Sequence, residues 1–270
     1  MTILERMIRE QDNTYTSAIR QNKINLERKR QQDYQWSGRI NPSALSGLDL
    51  CPKYFFQDLE SKNKRKNNAG SLDKMDFGSA IHTLYQEQSD LVPGLKWKIK
   101  PKNQSPYALQ QQEKTRELVV YDPENEFSGR VDDIIVYQGT PEIVEIKTTD
   151  CEKNDWLFNF DTLFPKKWHI VQVLYYYYKI TKLKYFPEYK IKRVRLVYIN
   201  LLWPKGEEGL EKEVVIYIND YIDQIMSLLD LNLTIQRLAF LNNQDIPCTY
   251  KYCEKHGNEQ IDYKRLGSCL

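Results

Sequence analysis

Apolar positions recur every three to four residues in some segments of the chain and every second residue in others. The first pattern, typical of an amphipathic helix, covers residues 76–88 and residues 219–241. Residues 166–182 contain no glycine or proline and are mostly apolar or aromatic, which predicts a buried helix. Three helices of the folded body are therefore expected from the pattern alone.

Segments rich in β-branched and aromatic residues predict the strands. They are residues 118–121, 129–137, 142–148, 191–203 and 213–218. Residues 138–141 (Gln-Gly-Thr-Pro) separate the second strand from the third and have the composition of a hairpin turn. The last two strands are predicted to pair as a second hairpin.

The N-terminal region divides into an extension and the start of the body. Residues 1–38 are rich in charges and carry only a thin apolar stripe, which indicates a helix or helix pair that packs on the body or on a partner. We therefore predict a helical extension over residues 1–40 and one domain over residues 41–270. The domain is predicted to open with a helix over residues 44–59, with Ser43 as its N-cap and an interruption at Cys51-Pro52.

Three further segments have no regular pattern. Residues 62–70 form a basic run that ends in glycine and predict an exposed loop. Residues 93–107 contain three prolines and predict a loop or flap. The last segment, residues 242–270, is predicted to be an irregular, cysteine-bearing tail.

The charge balance limits the kinds of partner and location. Lys and Arg total 39 against 37 Asp and Glu, so the formal net charge of the 270-residue chain is only +2. Any nucleic-acid site must therefore be a local basic patch. No apolar run approaches the roughly 18 residues of a membrane span, and the charged N-terminus is unlike a secretory signal. We expect a cytoplasmic protein whose five cysteines are thiols.

Two acidic positions lie on neighbouring predicted strands. Asp132 lies in the first strand, and Glu145-Ile146-Lys147 lies in the second, where alternation places Glu145 and Lys147 on one face and Ile146 in the core. Two adjacent carboxylates repel each other unless a cation lies between them, and oxygen ligands suit Mg²⁺ or Mn²⁺. Lys147 could orient or deprotonate a water molecule bound to the metal, as hydrolysis of a phosphodiester requires. The alternative interpretation is a solvated strand face with Glu145 and Lys147 paired across it.

Two helical segments add candidate residues. His82 follows Gly78 by one turn and is a candidate metal ligand, or otherwise a histidine of the core or a cap. Gln172 and Tyr176 are four residues apart and share a helix face, from which they could bind the catalytic lysine or a phosphate. The alternative is that the aromatic residues of this helix only pack in the core.

In this order, Gly78/His82, Gly129-x-x-Asp132, Glu145-x-Lys147 and Gln172-x-x-x-Tyr176, the motifs resemble the RecB-type branch of the PD-(D/E)XK nuclease superfamily. That branch includes the RecB and AddB nuclease domains, CRISPR-associated RecB-like exonucleases and phage exonucleases. Residues 43–55, with a Ser-x-Leu helix followed by Cys-Pro and aromatics, also resemble its opening motif. The resemblance covers residues 43–200 and implies a restriction-endonuclease-like core, an α/β fold with a central mixed β-sheet flanked by helices.

The resemblance also implies a role for each matching residue. His82, Asp132 and Glu145 would bind the divalent metal with the Ile146 carbonyl, and Lys147 would position or activate the attacking water. Two further residues would complete the catalytic set and help to hold DNA: Gln172 and Tyr176.

The sequence departs from the family pattern next to the first carboxylate. Val131, and not proline, precedes Asp132. Asp133 is an alternative ligand, although alternation along a strand would turn it away from Asp132.

The cysteines admit three interpretations. The resemblance implies a [4Fe–4S] cluster in part of the branch, with Cys51, Cys248, Cys253 and Cys269 as its candidate ligands here. A zinc ion held by Cys248, Cys253 and His256 with Cys51 is an alternative, and so are free thiols with no metal. Cys151 is left over in each case.

Basic segments at residues 62–66, 96–102 and 179–195 are candidates for DNA contact, although each could equally be a solvated face. Trp97, Tyr107 and Trp168 could stack on unpaired bases. The predicted DNA-binding residues are Lys64, Arg65, Lys98, Lys100, Lys167, Gln172 and Tyr176.

Together these features predict a metal-dependent DNA nuclease, an exonuclease on single strands or DNA ends in recombination, repair or phage DNA processing. One alternative is a structure-specific endonuclease or junction resolvase on the same core. Another is a non-catalytic DNA-binding subunit of a recombination or replication complex. A helicase, a recombinase or a replication complex is a candidate partner through the N-terminal extension, and no membrane partner is expected.

Overall fold

A mixed four-stranded β-sheet lies at the centre of the folded body in the computed structural model. The strands are β1 (Leu118–Asp122), β2 (Phe127–Val131), β3 (Asp133–Tyr137), β4 (Thr140–Thr149), β5 (Arg193–Asn200) and β6 (Glu211–Tyr217). The helices are α1 (Pro52–Glu60), α2 (Ala69–Leu91), α3 (Pro106–Gln112), α4 (Lys153–Phe158), α5 (Phe160–Leu163), α6 (Lys167–Lys182) and α7 (Asp220–Leu241), and a 3-10 helix covers Pro42–Asp49. The structure describes Gln21, Asn25 and residues 39–49, 51–60, 69–95, 100–112, 117–203, 209–244 and 246.

The strand order of the central sheet is β3-β4-β5-β6, and β1 and β2 form a separate antiparallel pair. Only β4 and β5 are parallel within the central sheet, and its other neighbours are antiparallel. Parallel neighbours require a crossover connection, and α4, α5 and α6 supply it between β4 and β5. The predicted α/β core, with a central mixed β-sheet flanked by helices, is confirmed.

Alternation along β4 places Val144 and Ile146 on one face of the sheet and Glu145 and Lys147 on the other. Val144 and Ile146 join residues of β3 and β5 in a buried cluster, against which Ile81 and Tyr85 of α2 pack. Burial of each such aliphatic side chain stabilises the fold by about 1.5–3 kcal/mol. Glu145, which lies between them, therefore points to the opposite face, where α6 lies.

The predicted hairpin turn between β3 and β4 is confirmed. Tyr137 pairs with Thr140, so that the loop has two residues, Gln138 with φ of 50° and Gly139 with φ of 75°. Positive φ at both positions is typical of a type I′ turn, whose twist matches that of the flanking strands.

The predicted single strand over residues 129–137 is wrong, because the chain bends at Asp132 between β2 and β3. The ladder of β3 with β4 ends at the pair of Asp133 and Val144. Beyond it, the Asp132 carboxylate accepts a hydrogen bond from the Ile146 N–H at 2.7 Å. The Asp132 side chain therefore takes the place of a backbone acceptor for the Ile146 N–H, and β2 can turn away from β4 at this point.

The start of the body differs from the predicted helix over residues 44–59. A 3-10 helix precedes α1, and the break between them falls at Cys51-Pro52 as predicted. Ser43 is not the cap: its N–H and hydroxyl both donate to Asn41 Oδ1, at 3.1 and 2.9 Å. The amide of Asn41 reaches the first turn because Pro42 already occupies a helical position there.

Helix α2 is longer than the predicted residues 76–88, and its first residues fall in the segment predicted to be a loop. The expected loop over residues 93–107 ends at Ser105, because Pro106 begins α3. The remaining loop positions, residues 61–68 and 96–99, lie outside the described residues.

The chain divides into two compact units, Met1–Ser37 with Asn63–Ala80 and Gly38–Lys62 with Ile81–Leu270. In the first segment only Gln21 and Asn25 are described, both helical, so the predicted division at residue 40 stays a prediction. Most of the predicted tail over residues 242–270 also lies outside the described residues. Among the described helices, none has the length and apolar character needed to cross a membrane.

Candidate active site

Asp132 occupies the bend between β2 and β3 and is 6% exposed. Its Oδ2 accepts the Ile146 N–H, and its Oδ1 lies 3.2 Å from His82 Nδ1. Its backbone carbonyl accepts a hydrogen bond from the buried Gln86 side chain of α2. Three contacts from two elements, β4 and α2, therefore fix the position of Asp132.

Glu145 lies on β4, is 2% exposed, and has two unequal oxygens. Its Oε1 accepts hydrogen bonds from Lys147 Nζ at 2.7 Å and from Gln172 Nε2 at 2.6 Å. Its Oε2 is buried without a hydrogen-bond partner. An unpaired buried carboxylate oxygen is costly, so this atom marks a position where a positive charge would be stabilised.

The electrostatics of Glu145 lead to the same conclusion. Burial, followed by the negative charge of Asp132, raises its pKa to about 8, although Lys147 and His82 oppose the rise. The carboxylate form is therefore disfavoured without an ion, and a divalent cation would lower the pKa again.

His82 lies on α2, and its side chain is about one quarter exposed. Burial alone would lower its pKa, but the hydrogen bond to Asp132 and the charge of that carboxylate outweigh burial and raise the pKa. An ionised Asp132 can only accept, so Nδ1 must carry the hydrogen, which leaves Nε2 as the nitrogen for an ion.

Tyr176 and Gly129 explain the local shape of the site. A Cβ atom at Gly129 would lie 2.5 Å from Tyr176 Cε1 and 3.0 Å from the Tyr176 hydroxyl, so only glycine lets β2 approach α6 this closely. The Tyr176 hydroxyl accepts a hydrogen bond from the Arg130 N–H at 3.1 Å. These contacts hold β2 on α6 three residues before Asp132.

Gln172 and Tyr176 are 6% and 2% exposed, and their polar contacts are to Glu145 and to the backbone of β2. The prediction that Gln172 and Tyr176 contact DNA directly does not agree with this burial. Both residues position the carboxylate and the strand, and they do so from one face of α6.

His169 also lies on α6, one turn before Gln172, and was not singled out by the sequence pattern. Its Nδ1 is 2.9 Å from the hydroxyl of Tyr198, which accepts the Lys166 N–H. Burial, followed by the charges of Lys147 and Lys166, lowers the pKa of His169 to about 4. The one sequence signal for His169 was its three-residue spacing from Gln172. Its partner Tyr198 lies opposite Lys147 in the parallel pairing of β4 and β5.

Asp133, the alternative ligand, points away from this group. Its carboxylate accepts hydrogen bonds from Ser89 Oγ at 2.6 Å and from the Ile134 N–H at 2.8 Å. The expectation that Asp132 and Asp133 face different directions agrees with these contacts.

The structure thus brings six of the predicted residues together around Glu145 and Asp132: His82, Asp132, Glu145, Lys147, Gln172 and Tyr176. In the described part of the chain, no group of three or more His, Cys, Asp or Glu side chains is placed so that it could hold a metal ion as it stands. The chemistry of the residues is nevertheless compatible with a divalent cation, because His82 offers an imidazole nitrogen and Asp132 and Glu145 offer carboxylate oxygens, one of which has no hydrogen-bond partner.

The predicted DNA-binding lysines are only partly described. Lys100 and Lys167 are exposed, and the Lys167 ammonium lies 4.8 Å from the centre of the Trp168 ring. Three further predicted residues lie outside the described ranges: Lys64, Arg65 and Lys98. Lys100 and Lys167 therefore remain candidates for phosphate contact.

The basic segment over residues 179–195 is not a continuous solvated patch. Lys179 is fully buried, with its ammonium 3.0 Å from Asp122 and 2.6 Å from Asp230. Arg193 and Arg195 both pair with the buried carboxylate of Glu142. Lys179, Arg193 and Arg195 are thus already paired with carboxylates, which does not agree with the DNA contact expected of this run.

Among the stacking candidates, Trp97 lies outside the described residues. The exposed ring of Tyr107 lies 4.7 Å from the ring of Tyr121, and the Arg39 guanidinium lies over both. Tyr107 is thus already engaged with a second ring on one side.

Cys51, next to the start of α1, and Cys151 are both buried, and neither forms a disulfide within the described residues. The other predicted cluster ligands, Cys248, Cys253 and Cys269, lie outside the described residues. The iron–sulfur cluster and the zinc alternative both stay predictions.

No protein-family model matches the chain, and a search among curated proteins found no match. Similar solved structures include SSO0001, with 14% identity and a TM-score of 0.44 over 87% of this chain and 88% of that one. Another is the alkaline exonuclease LHK-Exo from Laribacter hongkongensis, with 12% identity and a TM-score of 0.36 over 77% of this chain and 92% of that one. A third, from Eubacterium rectale and provisionally described as an exonuclease, has 10% identity and a TM-score of 0.39 over 87% of this chain and 94% of that one. The second and third of these structures are described as exonucleases, and each shares 12% identity or less with this chain.

Proposed function

We propose that this chain is a divalent-metal-dependent nuclease that hydrolyses phosphodiester bonds of DNA, and that Mg²⁺ or Mn²⁺ is its ion. The observation that carries the proposal is the unpartnered, buried Oε2 of Glu145, which shares its surroundings with the negative charge of Asp132. An amine, Lys147 Nζ, lies against the other oxygen of the same carboxylate.

A purely structural ion pair explains these contacts less well. In a pair that serves stability, both carboxylate oxygens are expected to be satisfied, because burial of a charge is otherwise unfavourable. Glu145 satisfies one oxygen only, and its neighbour Asp132 makes its ionised form less favourable. An arrangement that costs stability without an ion is typical of a functional site.

Each residue has a distinct part in the proposal. His82, Asp132 and Glu145, with the Ile146 carbonyl, would hold the ion. Bound there, a divalent cation would stabilise charge on the phosphate oxygens and lower the pKa of a water molecule. Lys147 would position or activate the attacking water.

Gln172 and Tyr176 are proposed to be positioning residues, since neither is exposed to a substrate. Gln172 fixes the rotamer of Glu145, and Tyr176 fixes the strand that leads to Asp132. The exposed Lys100 and Lys167 are the described candidates for contacts with the DNA backbone.

The finer proposal is an exonuclease that acts on single strands or ends in DNA recombination, repair or phage DNA processing. End-labelled linear DNA would be incubated with Mg²⁺, with Mn²⁺ and with EDTA. We expect products that shorten progressively from an end, only when a divalent ion is present. Covalently closed circles should remain intact, and their cleavage would favour the endonuclease alternative.

Three variants test the site itself. Asp132→Asn, Glu145→Gln and Lys147→Met are each expected to lower cleavage more than about a hundredfold, the usual scale for loss of a proton-transfer or charge-stabilising group. Asp133→Asn is the matched control, because this neighbouring carboxylate is bound to Ser89 and Ile134 instead.

The variants must remain folded and retain DNA affinity for the comparison to count, which circular dichroism and a filter-binding assay would check. Cleavage by the control but not by the three variants supports the proposal. Equal activity in all four proteins would place the chemistry elsewhere, and no cleavage of any DNA with either ion would refute the nuclease.

A further inference from the structure

Helix α7 presents a long apolar face to solvent. Seven large apolar side chains, spaced three or four residues apart, are between 39% and 68% exposed. They run along the whole helix: Tyr221, Ile225, Leu228, Leu231, Ile235, Leu238 and Leu241. Single exposed apolar residues are ordinary, but a continuous row of this length indicates an interface.

The opposite face of α7 is firmly attached to the body, so the row is held in a fixed position. Met226 and Leu233 are buried, and Asp230 binds Tyr175 and two lysines. The Arg237 guanidinium pairs with Glu126 near the end of the helix. The exposed face is therefore a rigid surface and not a poorly packed segment.

The exposed face also lacks charge. The whole helix is described, and between Tyr221 and Leu241 no exposed position carries Asp, Glu, Lys or Arg. The exposed polar residues are neutral: Gln224, Ser227, Asn232 and Thr234. A face without charge can meet a copy of itself without like-charge repulsion.

The size of the face is sufficient for a stable dimer. The exposed fractions of the seven side chains together equal almost four fully exposed residues. At roughly 200 Å² for each large side chain, this is about 800 Å². Standard stable interfaces bury about 800 Å² from each partner.

The order of the row favours a second copy of the same helix. Tyr221 and Leu241 each lie ten residues from the central Leu231, Ile225 and Leu238 lie six and seven residues from it, and Leu228 and Ile235 lie three and four. An antiparallel copy of the same helix would therefore place each apolar side chain within one residue of another along the helix pair. We propose that a second copy of this chain packs antiparallel on this face of α7, with the two-fold axis beside Leu231.

Asn232, next to this axis, supports the same arrangement. It is exposed on the row, and in the proposed pair it would face the same residue of the second copy. An amide beside the axis of an apolar helix pair favours one register, because only that alignment lets the two Asn232 amides bind each other. The proposal is independent of the nuclease function.

The first experiment measures the mass of the full chain in solution. Multi-angle light scattering at about 10–100 µM protein should give twice the chain mass of 32.2 kDa. Leu228→Glu and Leu231→Glu should each return the chain to a monomer, since both bury a carboxylate in the interface. Leu91→Glu is the matched control, because Leu91 is similarly exposed on a different helix, and this variant should stay dimeric.

The second experiment tests the orientation by cysteine cross-linking. Leu231→Cys should form a disulfide-linked dimer under mild oxidation, because the residue lies beside its own copy. Gln224→Cys lies on the same face, but in an antiparallel pair it would be about 20 Å from its copy and should stay unlinked. The unsubstituted protein reports any linkage through the native cysteines.

A monomeric chain at these concentrations would overturn the proposal and leave the face to another protein or to another segment of this chain. A dimer that persists in Leu228→Glu and Leu231→Glu would place the contact elsewhere. Linkage of Gln224→Cys as complete as that of Leu231→Cys would contradict the antiparallel orientation.

Discussion

The contact of Gly129 with Tyr176 permits a quantitative test of how the site is positioned. In Gly129→Ala the new Cβ would meet Tyr176 Cε1 at 2.5 Å, whereas carbon atoms in contact prefer about 3.5–4.0 Å. The ring is buried, so it must shift, and its hydrogen bond from the Arg130 N–H is weakened or lost. Overpacking costs about 1–3 kcal/mol and the hydrogen bond about 1 kcal/mol, so we expect about 2–4 kcal/mol of destabilisation.

The assay is equilibrium unfolding in urea, with thermal unfolding as a second readout. For a chain of this size the expected loss corresponds to a fall in Tm of roughly 5–15 °C. The double variant Gly129→Ala/Tyr176→Leu lacks the ring edge, so there Gly129→Ala should cost less, with a coupling energy of about 1–3 kcal/mol. Pro42 Cδ, 3.0 Å from the new Cβ, accounts for any remaining cost. Strictly additive free energies would refute the reasoning, because the clash would then not involve Tyr176.

Three other measurements test separate parts of the structure. Hydrogen bonds and the Lys179 ammonium lower the pKa values of Asp122 and Asp230 against the opposing effect of burial, so this stabilisation is present at neutral pH and is lost as the pH falls below about 4. In Lys179→Met the pKa values of both carboxyl groups should rise instead. Urea unfolding should then show about 3–5 kcal/mol less stability at pH 7, and stability should increase on mild acidification. A variant with the pH dependence of the wild type would exclude the pairing. Mn²⁺ at a hundredfold excess over its Kd should add about 2.7 kcal/mol to the free energy of unfolding of the wild type and nothing to that of Glu145→Gln. In EDTA the variant should be at least as stable as the wild type, since Oε2 has no hydrogen-bond partner to lose. NMR titration should find His169 neutral above about pH 5, because burial and nearby lysines lower its pKa to about 4, and a midpoint near 6.5 would contradict its described surroundings.

Local pattern was sufficient for most of the sheet and for part of the site. The alternation in β4 placed Glu145 and Lys147 on one face and Ile146 in the core, and the structure confirms both. The spacing of Gln172 and Tyr176 predicted a shared helix face, which their contacts with Glu145 and the backbone of β2 confirm. These features depend on periods of two or four residues, which a sequence displays directly.

The features that the sequence did not predict depend on contacts between distant segments. The bend at Asp132 depends on the Ile146 N–H, fourteen residues later and across a turn. The apparently solvated Lys179 is buried because Asp122, 57 residues earlier, supplies a carboxylate. Neither partner can be recognised from local composition, because tertiary packing decides which charges are brought together.

Two of the buried ionic groups in the described part of the chain, those around Lys179 and Lys147, differ in the way expected of a structural role and a chemical one. Around Lys179, the two facing carboxylates of Asp122 and Asp230 have lowered pKa values, and each makes further hydrogen bonds. Around Lys147, the single contacting carboxylate of Glu145 has a raised pKa and one oxygen without a partner. The positive charge is therefore sufficient to keep the carboxylates ionised in the first group and insufficient in the second, although both groups are buried in the same domain. Since an unbalanced buried charge lowers stability, its presence is best explained if binding of a cation restores the balance.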